Sequence, residues 1–214
     1  MNDNRHYLYS LNSISKREEF SMIKKIIPAG SKVIDLGCGD GTLLQLLRGK
    51  NINGEGIDIS STGVRSTRKK GIKASLGRID ISLPYNNKEF DFAICNVTLQ
   101  MVMYPEILIQ EMLRIAKYQI ISFPNFAFIV NRLELLLKGR MPKSMMGGYE
   151  WYSTGHIHQL SISDFIDHCS KKDFHIKEVH YIFPPRIFFI PNFILKFLPN
   201  VFASSVVFVI EAKK

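Results

Sequence analysis

The sequence predicts an α/β protein with a doubly wound, mostly parallel sheet of seven strands. Short apolar runs at 32–36, 54–58, 72–76, 90–95 and 118–122 alternate with helical stretches near 42–49, 60–70 and 104–116. The runs Asp91-Phe92-Ala93-Ile94-Cys95 and Gln119-Ile120-Ile121-Ser122 have the nearly unbroken apolar character of strands buried on both faces. A repeated strand–helix–strand order then calls for right-handed crossovers and a parallel sheet.

Each element has its own local reason. An amphipathic segment from 18 to 27 precedes the first strand. That strand runs into the glycine-rich turn 37–41 and a leucine-rich helix. Pro84 interrupts regular structure before the fourth strand, and Pro105 suits the first turn of the next helix. Phe123-Pro124-Asn125 ends the fifth strand; residues 126–137 read as a helix that stops at Gly139. The loop 140–148, with Pro142, Gly147 and Gly148, is expected to be mobile. A helix over 162–171 is expected, capped by Ser161 or Ser163. Runs at 179–183 and 205–212 supply the sixth and seventh strands. The chain reads as a single domain, 1–214, with an inserted helix and lid at about 124–160.

Composition narrows the classes. The chain has 214 residues, enough for a substantial core, and 46% of them are hydrophobic. The net charge of +9 is spread along the sequence, with one local cluster of Arg65, Arg68, Lys69, Lys70, Lys73 and Arg78. That cluster reads as the solvated face of the helix after the second strand, and no nucleic-acid partner is expected. Cys38, Cys95 and Cys169 have neither metal-ligand spacing nor an even count. They read as reduced thiols of a cytoplasmic protein, with no metal site. Residues 1–6 are polar, without the apolar core of a secretory leader. The long apolar stretch 182–209 is broken by Pro184, Pro185, Pro191 and Pro199, so no membrane span is expected. Phe188-Phe189-Ile190 within it reads as buried rather than interfacial.

The richest segment is Val33-Ile34-Asp35-Leu36-Gly37-Cys38-Gly39-Asp40-Gly41-Thr42-Leu43. Glycines at a strand-to-helix turn let backbone approach a ligand closely, and the following helix offers free N–H groups. A dinucleotide fingerprint would place its third glycine or alanine one residue later, where Thr42 stands. The spacing D-x-G-x-G-x-G instead resembles motif I of class I S-adenosylmethionine (SAM)-dependent methyltransferases. That resemblance implies that Asp35, Gly37, Cys38, Gly39 and Gly41 line a pocket for SAM or S-adenosylhomocysteine (SAH). Asp58, about 20 residues on at the end of the second strand, fits the acid that binds ribose hydroxyls.

Other positions are less regular. The family's acid after the third strand contacts adenine, but Arg78 holds that place here and Asp80 lies two residues on. Asp80, or failing it the backbone N–H groups of that loop, is therefore the expected adenine contact. After the fourth strand the sequence Asn96-Val97-Thr98-Leu99-Gln100 lacks the Pro-Pro-aromatic signature of nucleic-acid amino-methyltransferases, though Asn96 should lie at the pocket mouth. Tyr152, His156 and His158, just after the glycine-rich loop, are weak candidates for a lid residue acting as general base.

Together with Phe90-Asp91, Thr98-Leu99-Gln100, Ser122-Phe123-Pro124-Asn125-Phe126, Arg132-Leu133, Gly139-Arg140-Met141-Pro142, Tyr149-Glu150-Trp151-Tyr152, Ile157-His158 and Leu198-Pro199-Asn200, motif I resembles the MetW family. Arg78 and Gly155 depart from its pattern. The resemblance implies a class I methyltransferase-like Rossmann fold and a role in methionine biosynthesis, as partner or regulator of homoserine O-acyltransferase. A SAM pocket in that setting would suit end-product sensing. The alternative is a catalytic methyltransferase acting on a small-molecule acceptor.

Overall fold

The computed structural model describes residues 18–142, 151, 155–172, 174–185 and 190–213. The elements in chain order are α1 (Glu18–Ile26), β1 (Lys32–Leu36), α2 (Thr42–Arg48), β2 (Asn53–Asp58), α3 (Ser61–Lys69), β3 (Lys73–Leu76), β4 (Phe90–Asn96) and a 3₁₀ turn (Leu99–Met101). They continue with α4 (Pro105–Ile115), β5 (Ala116–Pro124), α5 (Ile129–Lys138), α6 (Ile162–Lys171), β6 (Phe174–Ile182), α7 (Asn192–Phe197), α8 (Pro199–Phe202) and β7 (Ser205–Ala212). The sheet has seven strands in the order β3-β2-β1-β4-β5-β7-β6, parallel except for β7, which runs antiparallel to both neighbours. Strand order reverses between β1 and β4, which opens a crevice at their carboxyl ends.

The central strands are buried on both sides, as their apolar runs require. Val33, Phe92, Ile94, Ile120, Val207 and Val209 face α1 and α2, packing with Phe20, Ile23, Leu43 and Leu47. Their neighbours Ile34, Ala93, Cys95, Ile121 and Phe208 face the opposite layer, with Met112 of α4 and Phe165 of α6. β2 is the exception in composition: it contains Gly54 and Gly56. A Cβ at Gly54 would stand 2.7 Å from Leu44 Cδ2, and one at Gly56 would stand 2.5 Å from Cys38 Sγ. The glycines of this strand let α2 and the turn before it sit directly on the backbone.

The structure departs from the sequence expectation at three places. β6 begins at Phe174 rather than 179, because a register shift between Ile176 and Glu178 breaks the period-two pattern. Before the shift Phe174 and Ile176 are the packed residues; after it they are Val179 and Tyr181. The helices α7 and α8 occupy part of a stretch that had no assigned elements. α5 begins at Ile129 rather than 126; it carries exposed Val130, Leu133, Leu135, Leu136 and Leu137, and its one buried residue is the polar Asn131. Asn131 donates from Nδ2 to the carbonyls of Asn125 and Phe126, which fastens the helix to the end of β5. Phe188, Phe189 and residues 143–148 of the expected mobile loop lie outside the described residues.

Candidate functional site at the carboxyl edge of the sheet

The glycine turn between β1 and α2 closes locally, Gly41 N–H donating to the Cys38 carbonyl at 2.9 Å, and is fastened by long-range bonds. Gly37 and Cys38 both donate their N–H to the carbonyl of Ile57, at 2.8 and 3.1 Å. Gly37, Gly39 and Gly41 all have φ between +54° and +90°, the left-handed region that a side chain disfavours. Space is short as well: a Cβ on Gly37 would lie 2.6 Å from Thr98 Cγ2, and one on Gly41 would lie 2.7 Å from Thr67 Cγ2. Packing inside the chain therefore demands glycine at 37 and 41.

Asp58 organises the crevice. Its Oδ2 accepts the Gly39 N–H at 2.7 Å, and its Oδ1 accepts the Ser60 N–H at 2.7 Å. One carboxylate thus ties the turn after β1 to the start of α3, whose own cap is Ser60 accepting from Gly63 N–H. Asp35, on β1 opposite Gly56, is almost fully buried, and its Oδ1 has no hydrogen-bond partner. Burial, reinforced by the nearby Asp58 charge, pushes its carboxyl up to about 8. The Cys38 thiol is driven upward by burial and by the same two carboxylates, so it is not a poised nucleophile.

Asp40 has a part that spacing alone did not reveal. Gly41 gives α2 no side-chain cap. Asp40 supplies one instead, accepting Thr42 N–H at 3.1 Å on Oδ1 and Thr42 Oγ1–H at 2.7 Å on Oδ2. Lys70 Nζ adds a 2.9 Å ion pair to that second oxygen. Burial opposes ionisation of Asp40, but the Lys70 and Thr42 bonds outweigh it and hold its carboxyl below the ordinary range. Thr67 of α3 completes the frame by donating to the Gly39 carbonyl at 3.0 Å.

The basic cluster is therefore not simply a solvated face. Lys70 pairs with Asp40, Lys73 with Glu55 and Arg78 with Asp80, while Arg68 Nε donates to the Ala74 carbonyl. Asp80, one of the expected adenine contacts, is already bonded within the chain. Arg78 donates to both of its oxygens, at 3.0 and 3.1 Å. Its Oδ2 also accepts the N–H groups of Met103 and Tyr104, at 3.0 and 3.2 Å, and so caps the amino end of α4. Burial opposes its charge, and the Arg78 and Tyr104 bonds prevail, holding its carboxyl below the usual range.

Asn96 ends β4 beside the crevice, its Oδ1 accepting from Ser122 Oγ at 2.7 Å. The next residue, Val97, has φ +53°, a genuine outlier for a β-branched side chain, fixed by its N–H donating to Ser122 O and Oγ. Thr98, which crowds Gly37, follows directly. Gln100 then anchors the segment expected as a lid: its carbonyl accepts the N–H groups of Ile157 and His158 at 2.9 and 3.1 Å. Gln100 Nε2 and His156 Nε2 approach to 3.5 Å. Tyr149, Glu150 and Tyr152 lie outside the described residues. The structure thus gathers Asp35, Gly37, Cys38, Gly39, Gly41, Asp58 and Asn96 at one edge, with His156 and His158 hung on the next loop.

Comparison with known proteins decides the family. The family model described as methionine biosynthesis protein MetW matches residues 17–210. This chain belongs to the MetW family. It is 35% identical over 156 residues to the bifunctional methionine biosynthesis protein MetXA/MetW of Rhodopirellula baltica, covering 68% of this chain and 25% of that protein. The MetW-family chain spans between a quarter and about half the length of the first curated relatives it matches. Among solved structures it is similar to a SAM-dependent methyltransferase from Mesorhizobium loti, with a TM-score of 0.66 at 15% identity, covering 92% of this chain and 99% of that one. It also resembles a SAM-dependent methyltransferase from Thermotoga maritima, with a TM-score of 0.65 at 20% identity, covering 91% and 88%. Those likenesses establish the class I methyltransferase fold. Among the described residues no helix is long and apolar enough to cross a membrane, and no cluster of three His, Cys, Asp or Glu side chains could hold a metal ion.

Proposed function

We propose that this MetW-family chain binds SAM and SAH in the β1–β2–β4 crevice and, with that ligand, regulates a homoserine O-acyltransferase of methionine biosynthesis. The observation that carries the reading is the Asp58 clamp: one carboxylate at the end of β2, where the family's ribose-binding acid stands, shapes the glycine turn through Gly39 and the start of α3 through Ser60. The residues fit such a cofactor. The glycine backbone is preformed, Asp35 Oδ1 is a buried oxygen without a partner, and Asn96 stands at the mouth. With Asp80 committed to Arg78 and α4, the adenine contact falls to backbone N–H groups of that loop rather than to a carboxylate.

Two observations support the partner: the matching family is described as a methionine biosynthesis protein, and the R. baltica relative is described as a bifunctional MetXA/MetW protein. Bound SAM would bring an activated methyl group, but regulation needs only that the crevice bind the cofactor differently with the partner present. A second reading, methyl transfer to a small molecule, draws on His156 and His158 being held by Gln100 beside Asn96. Methyl transfer relies mainly on alignment, so a weakly placed base does not remove it.

Calorimetric titration of SAM and SAH, alone and with purified homoserine O-acyltransferase, tests the reading. A cofactor affinity that changes with the partner supports it. Tight binding indifferent to the partner would shift weight to methyl transfer, and no binding at all would end both.

A further inference from the structure

We propose that α5 is a docking helix, whose outward apolar stripe inserts into an acid-rimmed apolar groove on the homoserine O-acyltransferase. The inference rests on the partnership proposed above and adds the surface through which that partner is held. An amphipathic helix of a globular protein ordinarily turns its apolar stripe to the core and its polar face to water. α5 does the reverse. Asn131 is buried and Glu134 half-buried, three residues apart on the side that meets the protein. Val130, Leu133 and Leu137, at the i, i+3, i+7 spacing of one helix face, are all exposed, and Leu136 extends the same stripe. Leu136 and Leu137 are the most open, with 78% and 77% of their surface accessible.

The protein grips this helix by its first turn. Asn131 fastens that turn to the Asn125 and Phe126 carbonyls, whereas residues 135–140 are exposed throughout. The tip closes at Gly139, whose N–H donates to the Leu135 carbonyl at 2.9 Å and where an added Cβ would meet nothing within 4 Å. Helices this short are marginal in water by themselves. Apolar side chains presented along such a ridge form the helix half of a helix-in-groove interface.

Charge selects the occupant. Segment 129–141 carries Arg132, Lys138 and Arg140 against the single acid Glu134, which already pairs with Lys138 at 3.2 Å. A second copy of this chain would set that positive excess against itself, whereas a groove with carboxylates at its rim complements it. Position selects it too. β5 runs parallel to β4 with Ser122 beside Asn96, so α5 leaves the same carboxyl edge at which the glycine turn and Asp58 form the cofactor crevice. A protein seated on α5 therefore borders the crevice whose ligand is to regulate it. The neighbouring α7 adds Phe193 and Phe197, 72% and 83% exposed, and the exposed Lys196. It ends just before Asn200, whose carbonyl accepts from Asn125 Nδ2, and so reaches the corner from which α5 starts.

The test measures binding of the full chain to purified homoserine O-acyltransferase by biolayer interferometry, for wild type and for the double variant Leu136→Glu/Leu137→Glu. The double variant is expected to bind at least about thirtyfold more weakly, the scale of lost interface anchors. Arg140→Glu should weaken binding about fivefold and make it less sensitive to salt. Leu135 lies two residues from both Leu133 and Leu137, on the other side of the helix, so Leu135→Gln should leave the affinity unchanged. Melting curves and SAH titration without the partner should match wild type in every variant. If the double variant melts early, Leu136→Gln alone is read, with a loss of about tenfold expected. Wild-type binding that the stripe variants keep, or that Leu135→Gln weakens equally, overturns the docking helix and leaves the partnership standing. No binding by wild type ends both. A wild-type dimer that the double variant dissolves in sedimentation, or retention on phosphatidylserine vesicles that it abolishes, assigns the stripe to a second copy or to lipid and overturns the proposal likewise.

Discussion

The β1–β2 side of the crevice and the β4–β5 side are built on different terms. On the first, Asp58, Asp40 and Thr67 bind the glycine turn and the start of α2 at four points, and Gly37 and Gly41 leave no room for a side chain. On the second, Val97 is strained, while Gln100 Oε1 and His158 Nε2 are buried without partners. Buried polar atoms without partners stand on both sides, since Asp35 Oδ1 and Glu55 Oε1 on the first are also unmet. The difference lies in the backbone: the first half is finished, a preformed turn that suits a cofactor bound without reorganisation, and the second is held under strain at Val97.

Breaking the finished half should have the largest effect. Asp58→Ala removes the bonds to Gly39 and Ser60 together, so stability should fall by about 2–3 kcal/mol in chemical denaturation, with SAH binding lost. Relief of the Asp35 repulsion offsets only part of that. Gly37→Ala should destabilise by about 1–3 kcal/mol, because the residue has φ +90° and its Cβ would meet Thr98. Adding Thr98→Ala separates the two causes: recovery of the melting temperature assigns the cost to the clash, and no recovery assigns it to φ.

A pH series sharpens the comparison next. Asp35 keeps its proton in the folded chain up to about 8 but loses it near 4 when unfolded, so the native state binds the extra proton between those values. Stability should therefore decline as pH rises through that window and level off above it, by at most a few kcal/mol. Asp35→Asn should flatten this dependence, read from melting curves at pH 5 and pH 8. The smallest effect is expected at Lys70→Gln, which removes the part-buried pair to Asp40 but keeps its cap on α2: about 1 kcal/mol or less in the same denaturation assay.

Where local chemistry decides, the sequence was enough. Strand β1, the glycine turn and the acid ending β2 follow from apolar runs, positive-φ glycines and a fixed spacing. Of the two caps expected, Ser161 and Ser163, the structure uses Ser161, which forms a capping box with Asp164. What escaped depends on residues distant in the chain. Asp40 meets Lys70 thirty positions away, and Asp80 caps α4 from over twenty positions away. Neither leaves a periodic trace. The register shift near Lys177 hid the first half of β6 by switching the packed face midway. The unpartnered nitrogen of His158 became visible only once the surroundings of its ring were known.

The most direct test of the central claim is SAH binding by wild type and Asp58→Asn, measured side by side by calorimetry, with folding of both checked by melting. The account predicts stoichiometric binding to wild type and at least a tenfold weaker affinity for the folded variant, about 1.4 kcal/mol. Equal affinity, or no SAH binding by wild type, would contradict it.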